Sequence, residues 1–387
     1  MKKNKVLLKP ATFLIPLFLL SACGTSANEE PTSNETPSPS TTQEAGVTPD
    51  TEAPSTSEGL DVALIVSYGG INDGSFNQGA WEGVVDFAST RDISYQHFTP
   101  SEFTDAGYLS TIELAVNAGA SIIVLPGFSF THAVYAAQDI FPDVHFALLD
   151  DLPADPETWE TRIEPNTVAV TYAEEQAGFL AGYAAVIEGF RNLGFIGGMQ
   201  MPPVSRFGHG FILGADYAGT KLNLSPGDIE VIYHYANTFD ASPIVQTTAA
   251  SWYVSGTEII FQAASAAGFS IMQAAETNNG FVIGVDTDQS GDSDTVITSA
   301  IKGVDVSVYQ ILDLFFNDNF PSGEQIVFDA SSGGVGLSME TSRFNTFTQE
   351  MYDELFVQLI NGEITIPITL EEGASALHTD IVDVILP

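Results

Sequence analysis

The sequence predicts an α/β protein with two doubly wound parallel-sheet lobes joined by a hinge, and three observations support this fold class. After residue 60, short β-branched runs alternate with longer segments of helical periodicity, which favours parallel sheets covered on both faces. The chain has 387 residues, enough for about two domains of ordinary size. Hydrophobic residues make up 44 % of the chain, which is sufficient for a packed core.

The pattern places strands and helices in alternation along the folded part. Nine runs are typical of strands: Val62–Ser67, Ser121–Leu125, Val144–Leu148, Val168–Thr171, Leu193–Ile196, Ile229–Tyr233, Thr257–Phe261, Phe281–Val285 and Val296–Ala300. Five segments between them are typical of helices: Gln78–Ala88, Ala106–Ala118, Ala173–Ile187, Ser205–Ala218 and Val304–Phe316. Ligands of doubly wound sheets bind beyond the carboxyl ends of the strands. We therefore expect one site near the loops that follow Ser67, Leu125, Ile196, Phe261 and Val285.

The first 23 residues have the pattern of a secretory signal. Four lysines precede an apolar stretch at 11–20, and the segment ends in Leu-Ser-Ala-Cys at Cys23. This ending resembles the lipobox of bacterial lipoproteins, which predicts lipidation of Cys23 and an anchor on the extracytoplasmic face of the cell membrane. An ordinary signal with an incidental cysteine is the alternative. Residues 24–59 are rich in Ser, Thr, Pro and Glu and are predicted to form a disordered tether.

Charge and cysteine content exclude several classes of partner and site. The 50 acidic and 11 basic side chains give a formal charge of −39, so nucleic acid is not expected as a partner. The single cysteine excludes a disulfide framework and any multi-cysteine metal centre. The six histidines lack metal-ligand spacing, and we predict neither a metal nor a cofactor.

Motifs for catalysis are missing from the sequence. It contains no Gly-x-Ser-x-Gly elbow, no His-Glu-x-x-His and no phosphate-binding loop. The acidic pairs Asp150-Asp151 and Glu174-Glu175 are interpreted as solvated turns or helix starts. These observations favour a binding protein and give an enzyme no positive support.

The loop after the first strand carries the most informative polar and aromatic residues. Phe76 lies between Asp73 and Asn77, and Ser75 is expected to cap the helix that follows. A flat apolar ring with directional polar neighbours suits a purine base. The alternative is a capped turn with Phe76 in the core.

Charged residues near later strand ends suggest a site for a sugar. Asp286 follows a strand, where its carboxylate can accept hydrogen bonds from two adjacent hydroxyls, such as a ribose diol offers. Lys302 follows another apolar strand, and we expect it to be partly buried and paired with Asp286. The alternative for Lys302 is an ordinary surface position. Arg206 and Phe207 lie at the start of a predicted helix; Arg206 could form a surface ion pair, and Phe207 could lie in the core.

Several long motifs resemble the basic membrane protein family. They span residues 69–83 (GGINDGSFNQGAWEG), 173–183 (AEEQAGFLAGY), 194–211 (GFIGGMQMPPVSRFGHGF), 283–289 (IGVDTDQ) and 299–309 (SAIKGVDVSVY). The resemblance covers nearly everything after residue 61. It implies a nucleoside-binding lipoprotein with a type I periplasmic-binding-protein fold that serves an ABC importer.

The resemblance also implies roles for individual residues. Phe76 and Phe207 correspond to an aromatic pair that sandwiches the base, with Asp73 and Asn77 bonding the base or bracing Phe76. Asp286 and Lys302 correspond to a clamp on the ribose.

Two positions depart from the family pattern. His132 stands where the family usually has an acidic residue on the purine edge, and Ser265 replaces the first glycine of a turn near the sugar. A carboxylate accepts two hydrogen bonds from guanine, whereas a neutral histidine offers one donor and one acceptor. We therefore expect a relaxed or altered base preference, with adenosine or a pyrimidine nucleoside as candidates.

The predicted organisation is a bilobal ligand-binding domain at 60–387. Lobe 1 is expected at about 60–170 and 287–330, and lobe 2 at about 171–286 and 331–387. The expected function is capture of a nucleoside, with purine nucleosides as the expected class, between the lobes and its delivery to the permease of an ABC transporter. A receptor or sensor for another small polar metabolite, such as a sugar, is the alternative, and a nucleoside-cleaving enzyme is a third possibility.

Overall fold

The structure is a computed structural model that describes residues 59–367 and 373–387. The predicted signal, Cys23 and the tether up to residue 58 lie outside the described residues. Within the described part, no helix has the length and apolarity needed to cross a membrane.

The described chain alternates between strands and helices. The strands are β1 Val62–Ile65, β2 Tyr95–Phe98, β3 Ile122–Pro126, β4 His145–Leu149, β5 Thr167–Tyr172, β6 Asn192–Gly197, β7 Ile229–Tyr235, β8 Ile259–Ala263, β9 Phe281–Asp286, β10 Val296–Lys302, β11 Gln325–Phe328, β12 Val335–Leu337 and β13 Val382–Ile385. The helices are α1 Phe76–Ala88, α2 Asp105–Asn117, α3 Thr131–Ile140, α4 Glu174–Glu188, α5 Pro202–Lys221, α6 Pro243–Ser255, α7 Ala267–Asn278, α8 Val304–Phe316 and α9 Gln349–Ile360.

Two sheets confirm the predicted fold class. The first has six parallel strands in the order β11-β5-β4-β3-β1-β2. The second has seven strands in the order β12-β10-β9-β8-β6-β7-β13, of which only β12 runs antiparallel to its neighbour. Each sheet is the centre of one lobe.

All nine predicted strands are present, and the four strands that were not predicted are the four sheet edges. They are β2, β11, β12 and β13. Edge strands contact neighbours on one side only, so their sequences need no continuous apolar run. In β2, for example, the two central residues are exposed.

The predicted boundary between the lobes was wrong for residues 287–302. This segment contains β10, which pairs with β9 and therefore belongs to the second sheet. The chain then returns to the first lobe, where α8 packs against α1 and β11 pairs with β5. It crosses between the lobes three times: after β5, after β10 and between β11 and β12. The apolar sequence of β10 identifies it as a buried strand, but does not say which sheet it joins.

Helices α4 and α5 touch through their backbones. A Cβ atom on Gly178 would lie 2.1 Å from the carbonyl oxygen of Phe207, and one on Gly182 would lie 2.0 Å from that of Phe211. Only glycine permits this approach. As a result, the start of α4 lies directly beside the first turns of α5, which both contribute residues to the site described next.

Candidate functional site

A cleft between the two lobes lies where the strands of both sheets end. Its first-lobe wall comes from the loops after β1, β3 and β4, and its second-lobe wall from α5 and the ends of β8, β9 and β10. Seven of the eight predicted binding residues line it: Asp73, Phe76, Asn77, Phe207, Ser265, Asp286 and Lys302. The shared position at strand ends is the one that the sequence predicted.

Asp73 braces the first loop. It is fully buried, and its carboxylate accepts hydrogen bonds from the backbone N–H groups of Ser75 at 3.0 Å, Asn77 at 3.1 Å and Gln78 at 3.0 Å. The side-chain amide of Asn77 donates to the same carboxylate at 2.9 Å. These bonds hold the start of α1, and thereby Phe76, in place. Of the two roles that the resemblance implied for Asp73, the contacts match bracing of Phe76.

Asn77 also stabilises the first loop through hydrogen bonds within the first lobe. Its side-chain oxygen accepts from the backbone N–H of Ser67 at 3.0 Å and from the Ser67 hydroxyl at 2.9 Å. Its amide also donates to the carbonyl oxygen of Tyr68 at 2.7 Å. The residue ties the end of β1 to the start of α1.

Ser75 does not cap α1 through its side chain, contrary to our expectation. Its hydroxyl instead donates to Asp286 across the cleft at 2.5 Å. The nearby carboxylate of Asp73 accepts the helix N–H groups that Ser75 would have satisfied, which leaves the Ser75 hydroxyl available to the opposite lobe.

Ser265 also connects the lobes. Its hydroxyl donates to Asp73 at 2.9 Å, although its backbone has a positive φ of 51°, a conformation that favours glycine. Gln289 adds a bond to the carbonyl oxygen of Gly74 at 2.8 Å. The departure from the family pattern at Ser265 therefore adds a polar contact between the lobes.

Lys302 is buried at the inner end of the cleft, with 2 % of its side chain exposed. It forms ion pairs with Asp150 and with Glu174, the latter at 2.9 Å. Our prediction that Asp286 would be its partner was wrong, since no ion pair joins the two. Asp286 nevertheless lies close enough to raise the pKa of the Lys302 ammonium. We call the four residues Asp150, Glu174, Asp286 and Lys302 the inner end.

The inner end includes two acids that the sequence analysis expected to be solvated; Glu174 does begin a helix, as expected, since it is the first residue of α4. Asp150 is 8 % exposed and Glu174 is fully buried, so neither lies in a solvated turn. Glu174 also accepts from the Arg206 guanidinium at 2.9 Å, which makes this pair part of the site and not a surface pair. Asp150 directly follows β4 and Glu174 comes two residues after β5, and this position near strand ends was the available signal.

Burial dominates the electrostatics of the inner end. Loss of hydration raises the pKa of Asp150 to about 7, even though Lys302 opposes the shift. It also raises the pKa of Asp286 to about 6, against Lys302 and the Ser75 hydroxyl. For Lys302, burial alone lowers the pKa, but the surrounding carboxylates outweigh it and the net direction is upward. The lysine is therefore held as a cation beside Asp150 and Asp286, whose pKa values lie near neutral pH.

Aromatic rings flank the same ammonium group. The Lys302 nitrogen lies 4.6 Å from the ring centre of Phe76 and 5.9 Å from that of Phe207. Phe207 is only 3 % exposed and packs edge-on against Phe261, so it belongs to the core while also forming cleft wall. Phe128, Met201 and other apolar side chains extend this wall.

His132 is the one predicted binding residue that does not line the cleft. It contributes instead to a neighbouring cavity, which we call the vestibule and which shares Tyr68, Phe128 and Met201 with the cleft. The His132 Nδ1 atom lies 2.9 Å from the carbonyl oxygen of Ala154, so the proton of a neutral ring is on Nδ1. Its ring meets Trp159 edge-on at 4.6 Å between centres.

The arrangement suits a ligand that combines a flat ring with hydroxyl groups. Buried carboxylates accept hydrogen bonds from hydroxyls, an ammonium donates to them, and aromatic walls accept a planar apolar surface. In the described part of the chain, no group of three or more histidine, cysteine or acidic side chains is placed to hold a metal ion.

These features define a two-lobed ligand-binding protein with its site in the cleft. The family model of the PnrA-like ABC transporter substrate-binding proteins (Bmp) matches residues 60–369. The chain belongs to this family, which confirms the resemblance noted in the sequence.

Curated relatives agree with this assignment. The ABC transporter nucleoside-binding protein BmpA of Lactococcus lactis is 30 % identical over 334 residues, covering 80 % of this chain and 89 % of the relative. Basic membrane protein B of Borreliella burgdorferi is 29 % identical over 328 residues, covering 82 % of this chain and 90 % of the relative. The name of the first relative describes a nucleoside-binding protein of an ABC transporter.

Solved structures show the same fold. A solute-binding protein of an ABC transporter system from Aeropyrum pernix aligns with a TM-score of 0.68 at 23 % identity, covering 80 % of this chain and 94 % of that protein. Another from Conexibacter woesei aligns with a TM-score of 0.64 at 22 % identity, covering 80 % and 98 %. At these identities the match supports the type I periplasmic-binding-protein fold and nothing more specific.

Proposed function

We propose that this chain captures nucleosides in the cleft and hands them to an ABC importer. One observation carries the proposal: aromatic walls and a buried set of carboxylates with one ammonium face the same cleft. A nucleoside has the matching parts, a flat base and a pentose with adjacent hydroxyls. The name of the Lactococcus lactis relative, a nucleoside-binding protein, supports this choice of ligand.

The proposed pose places the pentose at the inner end. Asp286 accepts hydrogen bonds from the diol and Lys302 donates to a sugar oxygen, while the base lies between Phe76 and Phe207. Stacking of a base on an aromatic side chain contributes about 1–3 kcal/mol in single-strand binders. No chemical change to the ligand is part of the proposal.

Lobe movement is part of the proposed cycle. Four hydrogen bonds join the first loop to the second lobe, from Ser75, Ser265, Thr287 and Gln289. The free volume of the cleft is about 80 Å³, which is less than the roughly 150 Å³ of a cavity that binds benzene. A nucleoside therefore enters only after the lobes separate, and their closure excludes water around the diol.

We also propose that the base preference is relaxed. The Asp73 carboxylate is occupied by its own loop, and His132 lies in the vestibule. Asp73 is thus not available to select the donor edge of guanine, and His132 cannot accept two hydrogen bonds from it.

The proposed location is the extracytoplasmic face of the cell membrane, with a lipid on Cys23. The tether of residues 24–59 would then hold the binding domain away from the bilayer, with a reach on the order of 100 Å if fully extended. Mass spectrometry of the protein from its native membrane would show a diacylated Cys23. An unmodified cysteine in that preparation would contradict the anchor.

A thermal-shift panel tests the ligand class. Nucleosides, free bases and simple sugars are each added to the purified protein, since a ligand that binds only the folded state raises the unfolding midpoint. We expect nucleosides to raise it and bases and sugars to have little effect. A response to sugars alone would assign the cleft to another class of metabolite, and exclusive, tight binding of guanosine would contradict the relaxed preference.

A further inference from the structure

The vestibule is much larger than the cleft it adjoins. Its volume is about 520 Å³, against about 80 Å³ for the cleft by the same measure. The two spaces share Tyr68, Phe128 and Met201 in their walls, so they lie side by side. None of the four inner-end residues lines the vestibule, which therefore opens on a different side of the cleft from the inner end.

The walls of the vestibule are largely aromatic. Tyr68 and Phe103 stack with ring centres 5.0 Å apart. Trp159 extends the surface with 65 % of its area exposed, although large aromatic side chains usually bury most of their surface. Hydrogen bonds from its own turn hold the residue: the Trp159 N–H donates to the carbonyl oxygen of Asp155 at 2.9 Å, and the Asp155 carboxylate accepts two further N–H groups.

Two buried hydroxyls in the vestibule lie near each other but make no hydrogen bond of ordinary geometry. They are the phenol of Tyr108, which is 2 % exposed, and the hydroxyl of Ser129. Buried polar groups are almost always hydrogen-bonded to protein, water or ligand. Burial also raises the pKa of the Tyr108 hydroxyl, so it is a neutral donor at physiological pH.

Charge restricts what this space accepts. The ionisable groups that line it are Asp105, Asp151, His132 and the two tyrosines, and no lysine or arginine is among them. An anionic group on the base would therefore meet carboxylates without a compensating cation. A neutral aromatic group suits the walls.

We propose that the vestibule is an extension of the ligand site that accepts a neutral aromatic substituent on the nucleoside base. The inference rests on the proposed function. With the pentose at the inner end, the edge of the base farthest from the sugar faces the vestibule, and in adenosine that edge carries the 6-amino group. The ligand class therefore includes base-modified nucleosides. Residues 199–202 of the second lobe close over the same space, so such a substituent contacts both lobes.

Isothermal titration with adenosine and N6-benzyladenosine tests the inference. We expect the benzylated nucleoside to bind at least fivefold more tightly than adenosine. Trp159→Ala should weaken N6-benzyladenosine at least fivefold and change adenosine less than twofold. The exposed position of Trp159 makes misfolding of this variant improbable, and Phe281→Ala, at the opposite end of β9 from the cleft, is the matched aromatic control.

Each contrary result has a distinct meaning. If adenosine binds and N6-benzyladenosine does not, the vestibule is closed to substituents and the inference is wrong. Equal binding of the two compounds, with no effect of Trp159→Ala, also overturns it. If neither adenosine nor any other nucleoside binds, the proposed function itself fails, and the inference fails with it.

Discussion

The inner end and the vestibule are adjacent regions with opposite construction. At the inner end, three buried carboxylates surround one ammonium, and every charged group has a partner. In the vestibule, Trp159 is 65 % exposed, and two buried hydroxyls make no hydrogen bond of ordinary geometry. The polar groups of the inner end are therefore paired before a ligand binds, whereas the vestibule still has groups that a ligand could contact.

This difference indicates how the two regions should respond to substitution. Removing one member of a buried ion pair leaves an uncompensated charge, which is strongly destabilising. Removing an exposed aromatic group costs only its contact with a ligand. Changes at the inner end should therefore affect folding and binding together, and changes toward the vestibule should affect selectivity alone.

Lys302→Met should have the largest effect. Methionine retains much of the side-chain volume but leaves Asp150 without its cation and Glu174 with Arg206 alone, which should lower the free energy of unfolding by about 3–5 kcal/mol. Nucleoside affinity should fall by more than about 100-fold, the equivalent of roughly 3 kcal/mol. Chemical denaturation and titration calorimetry measure the two quantities.

Lys221→Met is the matched control for that substitution. Lys221 is exposed at the end of α5, where its charged group lies over Tyr217. We expect nearly unchanged stability and affinity. Similar losses in the two variants would show that Lys302 has no special role.

Asp286→Asn should weaken nucleoside binding by about 1.5–3 kcal/mol, because a charged hydrogen-bond acceptor is lost at the diol. Asp288→Asn, two residues further along and bonded to Thr341, should bind nucleosides like the unaltered protein. A loss of less than about 0.5 kcal/mol for Asp286→Asn would reject its assigned role, since this is the lower limit for an ordinary hydrogen bond.

Replacing Phe76 or Phe207 by leucine should have the same effect on affinity but different effects on stability. Phe76 is partly exposed and Phe207 is buried. Both substitutions should reduce affinity about tenfold through lost stacking, but only Phe207→Leu should also lower the thermal midpoint. Unchanged affinity in both variants would exclude the sandwich.

Nucleoside affinity should rise with pH. Since burial raises the pKa of Asp286 to about 6, this acid is protonated at pH 5 and accepts fewer bonds from the diol. Affinity should improve about five- to tenfold between pH 5 and 8, as expected for one linked proton. Asp286→Asn should abolish the dependence, and a flat profile in the unaltered protein would contradict the assignment.

Stability of the ligand-free protein should change in the opposite direction. The folded chain holds protons on Asp150 and Asp286 up to about pH 7 and 6, whereas the unfolded chain releases them near pH 4. Between these values the folded state binds more protons, so the free energy of unfolding decreases as pH rises. Thermal melts at pH 5 and 7.5 measure the difference, and a midpoint that increases with pH would show that Lys302 outweighs burial.

The sequence was sufficient for the central strands and for the set of loops that meet at the cleft. Continuous apolar runs mark strands that are buried on both faces, and parallel strands bring their carboxyl ends together. Edge strands such as β2 and β13 carry no such signal. The assignment of β10 to the second sheet was not predictable, because pairing partners depend on the whole topology.

Pairing within the site was also beyond the sequence. Lys302 and Asp286 end neighbouring strands, but the lysine pairs with Asp150 from the first lobe and with Glu174 at the start of α4. Ser75 was predicted to cap α1, but its hydroxyl bonds to Asp286 instead. The reason is similar, because the carboxylate of Asp73 already accepts hydrogen bonds from the N–H groups at the start of α1. Residue types and strand ends predict which side chains lie near one another. Which of them form hydrogen bonds or ion pairs depends on the other partners within reach, and these are known only from the structure.

A crystal structure of the chain grown with adenosine tests the central claim most directly. We predict that the base lies between the rings of Phe76 and Phe207, that the ribose hydroxyls bond to Asp286 and Lys302, and that the 6-amino group points to the vestibule. A cleft without ligand at saturating adenosine, or a nucleoside bound elsewhere on the protein, would contradict the account.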